Sequence, residues 1–310
     1  MQHRPSGWYA WHHRALGVVL FMAFAPLLPD VSQLFGAASL FDIALLRLHP
    51  QGYGWSVYDL AFVVGRYTGW PASLTVYALS AFYLATCVSL IAGRQVRVAA
   101  LVLLLLHHIF FVAVPIYSYG FDFLALSALF YCAVYHRQWA GYTLRLLQLH
   151  LCLVYFFGGL NKAIGATWHN GEALWRALQQ PIGAPLIRGV ELMQWPWLCT
   201  ALGWAVVVLE LSYAVLVWRR PLRPWVVAAT VAMHTGIALC LGLYAFSALM
   251  ILLNLTAFYF PYAKHSPCPR RVPPEQATAC TGVRVTHRVE ALAPNASSTT
   301  TAGAPPEKPP

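Results

Sequence analysis

Residues 98–115 read VAALVLLLLHHIFFVAVP, a run whose only polar side chains are His107 and His108. A hydrocarbon core of roughly 30 Å is crossed by about 20 helical residues, so a block this apolar predicts a membrane helix. Similar blocks recur, giving expected spans at 15–36, 70–92, 98–117, 121–136, 143–164, 195–218, 222–243 and 246–262. Of 310 residues, 59% are hydrophobic and only 10% charged, too little charge to cover a soluble domain of this size. The expected fold class is therefore all-α: a polytopic membrane helix bundle of about eight transmembrane helices.

The formal net charge of +10 invites a nucleic-acid reading, but the basic residues stand singly or in small groups between apolar blocks. That is the pattern of topology signals, and no nucleic-acid partner is expected. With the N-terminus inside, the inner loops hold 12 basic residues: Arg4, Arg14, Arg94, Arg97, Arg137, Arg145, Arg219, Arg220, Arg223, Lys264, Arg270 and Arg271. The outer loops hold four, Arg47, Arg66, Arg176 and Arg188, together with Asp42, Asp59, Asp122, Glu172 and Glu191. The bias predicts both termini inside, which an odd number of spans would spoil. Arg14 and the apolar Ala15–Leu28 have the polarity of a signal peptide, but no small-residue cleavage site follows, so the block reads as the first span.

Residues 1–14 are expected to be a cytoplasmic N-terminus, 15–262 the membrane domain and 263–310 a disordered cytoplasmic tail. The tail is rich in Pro, Ser, Thr and Ala, ends in PPEKPP and lacks the apolar content to bury a core. Leu40–Tyr67 is amphipathic and reads as a short helix at the interface. Trp8, Trp11, Trp55, Trp70, Trp139, Trp168, Trp195 and Trp197 fall near expected helix ends, as an aromatic belt would. The seven cysteines include no CxxC pair, and five sit in apolar segments, where Cys acts as a small hydrophobe. No disulfide framework and no metal site is expected.

Ionisable side chains inside a membrane are costly and each asks for a reason. The richest segment is Tyr155–Gly171, YFFGGLNKAIGATWHNG. On a helix Tyr155, Gly159 and Lys162 share one face, and Gly158-Gly159 would let another helix backbone come close. Lys162 is either a lysine snorkelling to the outer interface or an amine partly stripped of water and able to act as a base. His107 and His108 are adjacent on a helix, so only one of them is expected to face the interior; His234 is a similar core histidine. Glu210, mid-span, is expected to pair with His234 or with a histidine of the third span. Asp122 follows a short outer turn and is read mainly as a helix cap. Asn254 completes the set.

YFFGGLNKAIGATWHNGEAL resembles the signature of the HTTM domain family, the membrane module shared with vitamin K-dependent gamma-carboxylases. The likeness falls on Tyr155-Phe156, Gly158-Gly159, Lys162, Trp168 and Gly171. Two further pieces fit: the Gly120-Phe-Asp122 turn, and the run His234…Gly242…Phe246-Ser247. It covers roughly residues 10–262, an HTTM-like transmembrane domain. The resemblance implies that Lys162 is the base that deprotonates a reduced quinone. Tyr155, Gly159, Trp168, His169 and His234 would shape the substrate or cofactor site, and a quinol such as reduced menaquinone or vitamin K would be the cofactor. Two departures argue against protein γ-carboxylation by this chain. Carboxylases carry a large soluble region after the membrane part, and a histidine before a Ser-Tyr pair where this chain has Tyr117.

The function expected is thus an integral protein of a bacterial inner membrane, acting on a quinol or other lipophilic substrate at an outer-facing site around Lys162. Its partners would be the lipid bilayer, a quinone or lipid ligand, and a membrane or periplasmic protein. The alternative from another class is a non-enzymatic membrane partner, anchor or small-solute carrier that uses the same polar residues for helix packing. A secondary transporter would show an inverted repeat with interrupted helices, and none is visible.

Overall fold

A computed structural model describes residues 7–36, 55–114, 116–179 and 184–262. The expected tail, the first part of the interfacial stretch at 40–54, and the basic residues Arg4, Arg47, Lys264, Arg270 and Arg271 lie outside them.

The described elements are helical throughout. α1 spans Gly7–Phe24 and runs through a 3-10 segment, Ala25–Asp30, into α2, Val31–Phe35. Pro26 and Pro29 remove two backbone donors there, which is why the α ladder gives way. α3, Val57–Thr68, is opened by a Ser56–Asp59 capping box and closed by Gly69 at φ +72, a left-handed position suited to glycine. It buries Val57, Tyr58 and Ala61 while Phe62 and Tyr67 stay exposed.

α4 is Ala72–Ala92 and α5 is Val96–His107, which widens into a π turn at 108–112. α6 is Gly120–Val134 and α7 is Ala140–Ile164. The short helices α8, Ala166–His169, and α9, Glu172–Gln179, lead to α10, Pro196–Leu216. α11 is Arg223–Leu241, and α12, Tyr244–Asn254, ends in a second π turn, Leu255–Tyr259.

Five of these segments, among the described residues, are long and apolar enough to cross a membrane: Gly7–Phe35, Ala72–Ala92, Arg137–Ile164, Pro196–Leu216 and Arg223–Leu241. Three shorter apolar helices, Val96–Phe111, Gly120–Val134 and Tyr244–Tyr259, fill the remaining expected spans. Large apolar side chains stay exposed along their lengths, among them Leu105, Leu149, Leu153, Val208 and Val215. Helices that are apolar all round, with an outer face that water would not tolerate, need lipid around them. The chain is a multi-pass integral membrane protein with an all-α helical bundle.

Polar contacts sort the loops into two ends. Tyr9 donates to Cys132 O at 3.0 Å and stacks on Tyr135, and His13 Nδ1 lies 3.0 Å from Leu90 O. Arg97 Nε donates to Tyr135 O at 2.8 Å, while the Arg223 guanidinium lies 3.7 Å from the centre of the Tyr262 ring. At the other end Phe35 meets Phe110, Phe111 and Tyr117, and the Tyr58 and Tyr117 hydroxyls both donate to Leu34 O. The segments expected inside therefore gather at one end, with Arg14, Arg94, Arg97, Arg137, Arg145, Arg219, Arg220 and Arg223. Those expected outside gather at the other, with Arg66, Arg176 and Arg188.

Two boundaries differ from expectation. The first helix starts at Gly7 rather than near 15, because Trp8, Tyr9, His12 and His13 are buried against neighbouring helices instead of lying in a loop. Trp8 accordingly packs edge-on against Tyr135 and is no belt residue, whereas Trp70, Trp139, Trp195 and Trp197 are exposed at helix ends. The third span loses its α geometry at His108, where Ala113 N reaches back to His108 O across a π turn.

Candidate functional site

The closest packing of the membrane helices around the expected site is where α7 meets α10. A Cβ on Gly159 would come within 2.9 Å of both Glu210 Cβ and the Leu211 backbone nitrogen, and one on Gly158 within 3.3 Å of Glu210 Oε2. The two glycines thus admit α10 at backbone distance and bring Glu210 over them. Lys162, one turn further along α7, donates to Glu210 Oε2 at 2.7 Å. Its side chain is 24% exposed and that of Glu210 10%, so the pair is only partly withdrawn from its surroundings. The Lys162 ammonium also lies 5.4 Å from the centre of the Trp168 ring.

Trp168 is positioned by small residues. Gly171 adopts φ +80 and sits so close to α10 that a Cβ would fall 2.6 Å from Thr200 N; a Cβ on Gly203 would meet Trp168 O at 3.0 Å. The Trp-x-x-Gly turn is therefore pressed flat onto α10. His169 turns away from Lys162: its Nε2 lies 2.7 Å from Ala163 O and its ring stacks on Trp204. There it serves the last turn of α7, where orphan carbonyls need a partner.

Deeper along the same face of α7, Tyr155 belongs to a buried chain that ties four helices. Tyr213 donates to Asn254 Oδ1 at 2.7 Å, Asn254 Nδ2 donates to the Tyr155 hydroxyl at 2.8 Å, and that hydroxyl is hydrogen-bonded to His234 Nε2 at 2.9 Å. His234 Nδ1 is buried without a hydrogen-bond partner, as is Ser247 Oγ. Phe246 joins this group to α6: its ring lies 5.8 Å from that of His234, and a Cβ on Gly120 would touch it at 3.3 Å. The sequence pieces around Lys162, Gly120 and His234–Ser247 thus lie in one neighbourhood.

Of the residues singled out from sequence, Lys162, Gly159 and Trp168 come together around Glu210, while Tyr155 and His234 bond to each other. His169 belongs to a separate contact. Glu210 pairs with neither His234 nor a histidine of α5, because the glycine contact delivers it to Lys162 and the Tyr155 hydroxyl takes the His234 ring.

A second polar group lies among α4, α5 and α6. Of the two adjacent histidines His107 is the buried one, with Nδ1 2.9 Å from the Tyr83 hydroxyl and Nε2 3.2 Å from Asp122 Oδ1. Asp122 Oδ2 accepts the Tyr119 N–H at 2.8 Å, so the carboxylate does cap α6 as well. Burial, then the Asp122 charge, pushes the Tyr119 phenol up to about 12, and burial with the Tyr58 contact raises that of Tyr117, so both stay protonated. Tyr83 and Tyr213 were not legible as site residues: one tyrosine among the 16 of the chain carries no spacing signal.

Compared with protein-family models, curated proteins and solved structures, the chain matches none.

Proposed function

We propose that the chain is a member of the HTTM family, resembling the membrane module of vitamin K-dependent gamma-carboxylases. In this reading it transfers a proton on a quinol or another lipophilic hydroxyl substrate at the outer face of a bacterial inner membrane, with both termini inside. The observation that carries this is the Lys162–Glu210 pair, 2.7 Å apart at the end of a span and beside the Trp168 ring. The neighbourhood of the three motif pieces supports it, as do the unpartnered buried atoms His234 Nδ1 and Ser247 Oγ, since buried polar atoms ordinarily have partners.

The pairing refines the role of Lys162. A lysine held by a carboxylate rests as the ammonium, which is no base. Glu210 must first take that proton, leaving a neutral amine; a site sheltered from water makes such a neutral pair accessible. The amine then takes the proton of the substrate hydroxyl and returns to ammonium, while the oxygen keeps the electron pair. Glu210 passes its proton to water at the interface. Amine, carboxylate, phenol and imidazole together fit a hydroxyaromatic head group. A quinol bound there would supply the oxidisable ring, and the residues of this chain would orient it and move the proton.

The test is oxidation of reduced menaquinone in air-saturated liposomes holding the protein, followed by quinol fluorescence: dioxygen takes the two electrons of the deprotonated quinol and leaves as hydrogen peroxide, and the protein supplies the proton transfer. The wild type is expected to exceed protein-free liposomes at least tenfold, and Lys162→Met to remove that excess. A wild type no faster than empty liposomes would sink the reading.

One observation favours a second reading, a non-enzymatic membrane partner: the ion pair sits at the glycine contact of α7 with α10, where it would also serve as a staple. Exchanging the partners, Lys162→Glu with Glu210→Lys, separates the two. Turnover in the wild type with stability but not turnover restored in the exchange variant assigns the base to position 162; stability restored in the exchange variant with no turnover even in the wild type leaves only the staple.

A further inference from the structure

At the same end of the bundle, a cavity of about 290 Å³ lies among α1, α2, α4, α5 and α6. Its walls are apolar and aromatic, Leu20, Phe24, Phe35 and Phe111 among them, and its polar lining includes Tyr83, His107 and Asp122. Neither Lys162 nor Glu210 lines it. A volume near 300 Å³ is at the small end of ligand pockets, enough for one chain or one ring.

The polar lining has a definite hydrogen-bond polarity. Tyr83, His107 and Asp122 are exposed by no more than 2% each. The carboxylate beside Nε2 keeps the imidazole proton on that nitrogen, and Nδ1 then accepts from the Tyr83 hydroxyl at 2.9 Å. Nε2 is 3.2 Å from Asp122 Oδ1, yet too oblique to make a hydrogen bond, and has no other partner. A buried N–H therefore stands beside a carboxylate oxygen without being spent on it. The group that satisfies both is one that accepts and donates through a single oxygen. A hydroxyl does this: it takes the His107 proton and gives its own to Asp122. A ketone can only accept, and a carboxylate would meet the charge of Asp122.

We propose that this cavity is a binding site for a lipophilic alcohol, with the hydroxyl bridging His107 Nε2 and Asp122 Oδ1 and the hydrocarbon lying among Leu20, Phe24 and Phe111. It is a site separate from the one at Lys162 and does not rest on the reading given for that lysine.

The experiment uses the full chain in lipid nanodiscs with a dodecanol carrying a diazirine, cross-linked by light and mapped by peptide mass spectrometry. Labels are expected on peptides containing Phe24 or Phe111, displaced by 1-dodecanol and about tenfold less well by 2-dodecanone or dodecanoic acid. Asp122→Asn puts an N–H donor in place of a carboxylate oxygen, and should narrow the gap between alcohol and ketone to about twofold. Leu20→Trp fills the cavity and should abolish labelling while the protein still elutes as the wild type does. Lys162→Met should leave labelling unchanged. Labels spread over the lipid-facing residues, equal displacement by all three competitors, or selectivity unchanged in Asp122→Asn would each overturn the proposal. Loss of labelling in Lys162→Met would overturn it too, by assigning the cavity to the lysine site.

Discussion

Lys162–Glu210 and His107–Asp122 are both acid–base pairs inside an apolar bundle, and they are held in opposite ways. The lysine and glutamate sit on helices brought to backbone distance by two glycines, and their side chains keep 24% and 10% of their exposure. His107 and Asp122 keep 1% and 2% and are braced from the sides, by the Tyr83 hydroxyl and the Tyr119 N–H. The first pair has room to exchange a proton with its surroundings. The second is closed off: Tyr83 holds one side of the imidazole and the Tyr119 N–H one carboxylate oxygen, and low surrounding polarity raises the cost of each lost partner.

The largest effect should come from breaking the closed-off pair. Asp122→Ala removes the α6 cap and takes the carboxylate charge from beside the buried His107 ring, costing about 3 kcal/mol, seen as a lower midpoint of denaturant unfolding in detergent. Lys162→Met should cost less, about 2 kcal/mol by the same measurement, because this pair keeps 24% and 10% of its exposure against 1% and 2% for His107 and Asp122. If the order were reversed, the Lys162 pair would be the true keystone of the bundle and its freedom to exchange protons would be in doubt.

The hydrophobic blocks make the architecture legible in the sequence, since a span of about 20 apolar residues has few other homes. Among the described residues, the alternation of basic loops also matches the two ends of the bundle. Pairings were harder to read. Gly158 and Gly159 announce a close helix, but nothing in the sequence says that α10 is the helix, or that Glu210 rides over them. Likewise the link from Tyr83 to His107 depends on the rotation of two helices about their axes, which an all-round apolar surface leaves unmarked. Trp8 and Tyr9 show the same limit at the N-terminus, where side chains that suit an interface are buried by Tyr135 instead.

The shortness of α6 has a consequence for the lipid. Its 15 residues rise roughly 22 Å at about 1.5 Å each, well under the usual hydrocarbon thickness. Thinning of the neighbouring bilayer would meet it, drawing head groups inward beside the exposed Tyr119. The protein should therefore unfold at a temperature a few degrees higher, about 3 °C, in 14-carbon than in 18-carbon phosphatidylcholine, a preference set by fractions of a kcal/mol per Å of mismatch. Bilayer thickness would then act on this protein as a graded signal, felt first at the mouth of the bundle where its acidic and phenolic groups stand.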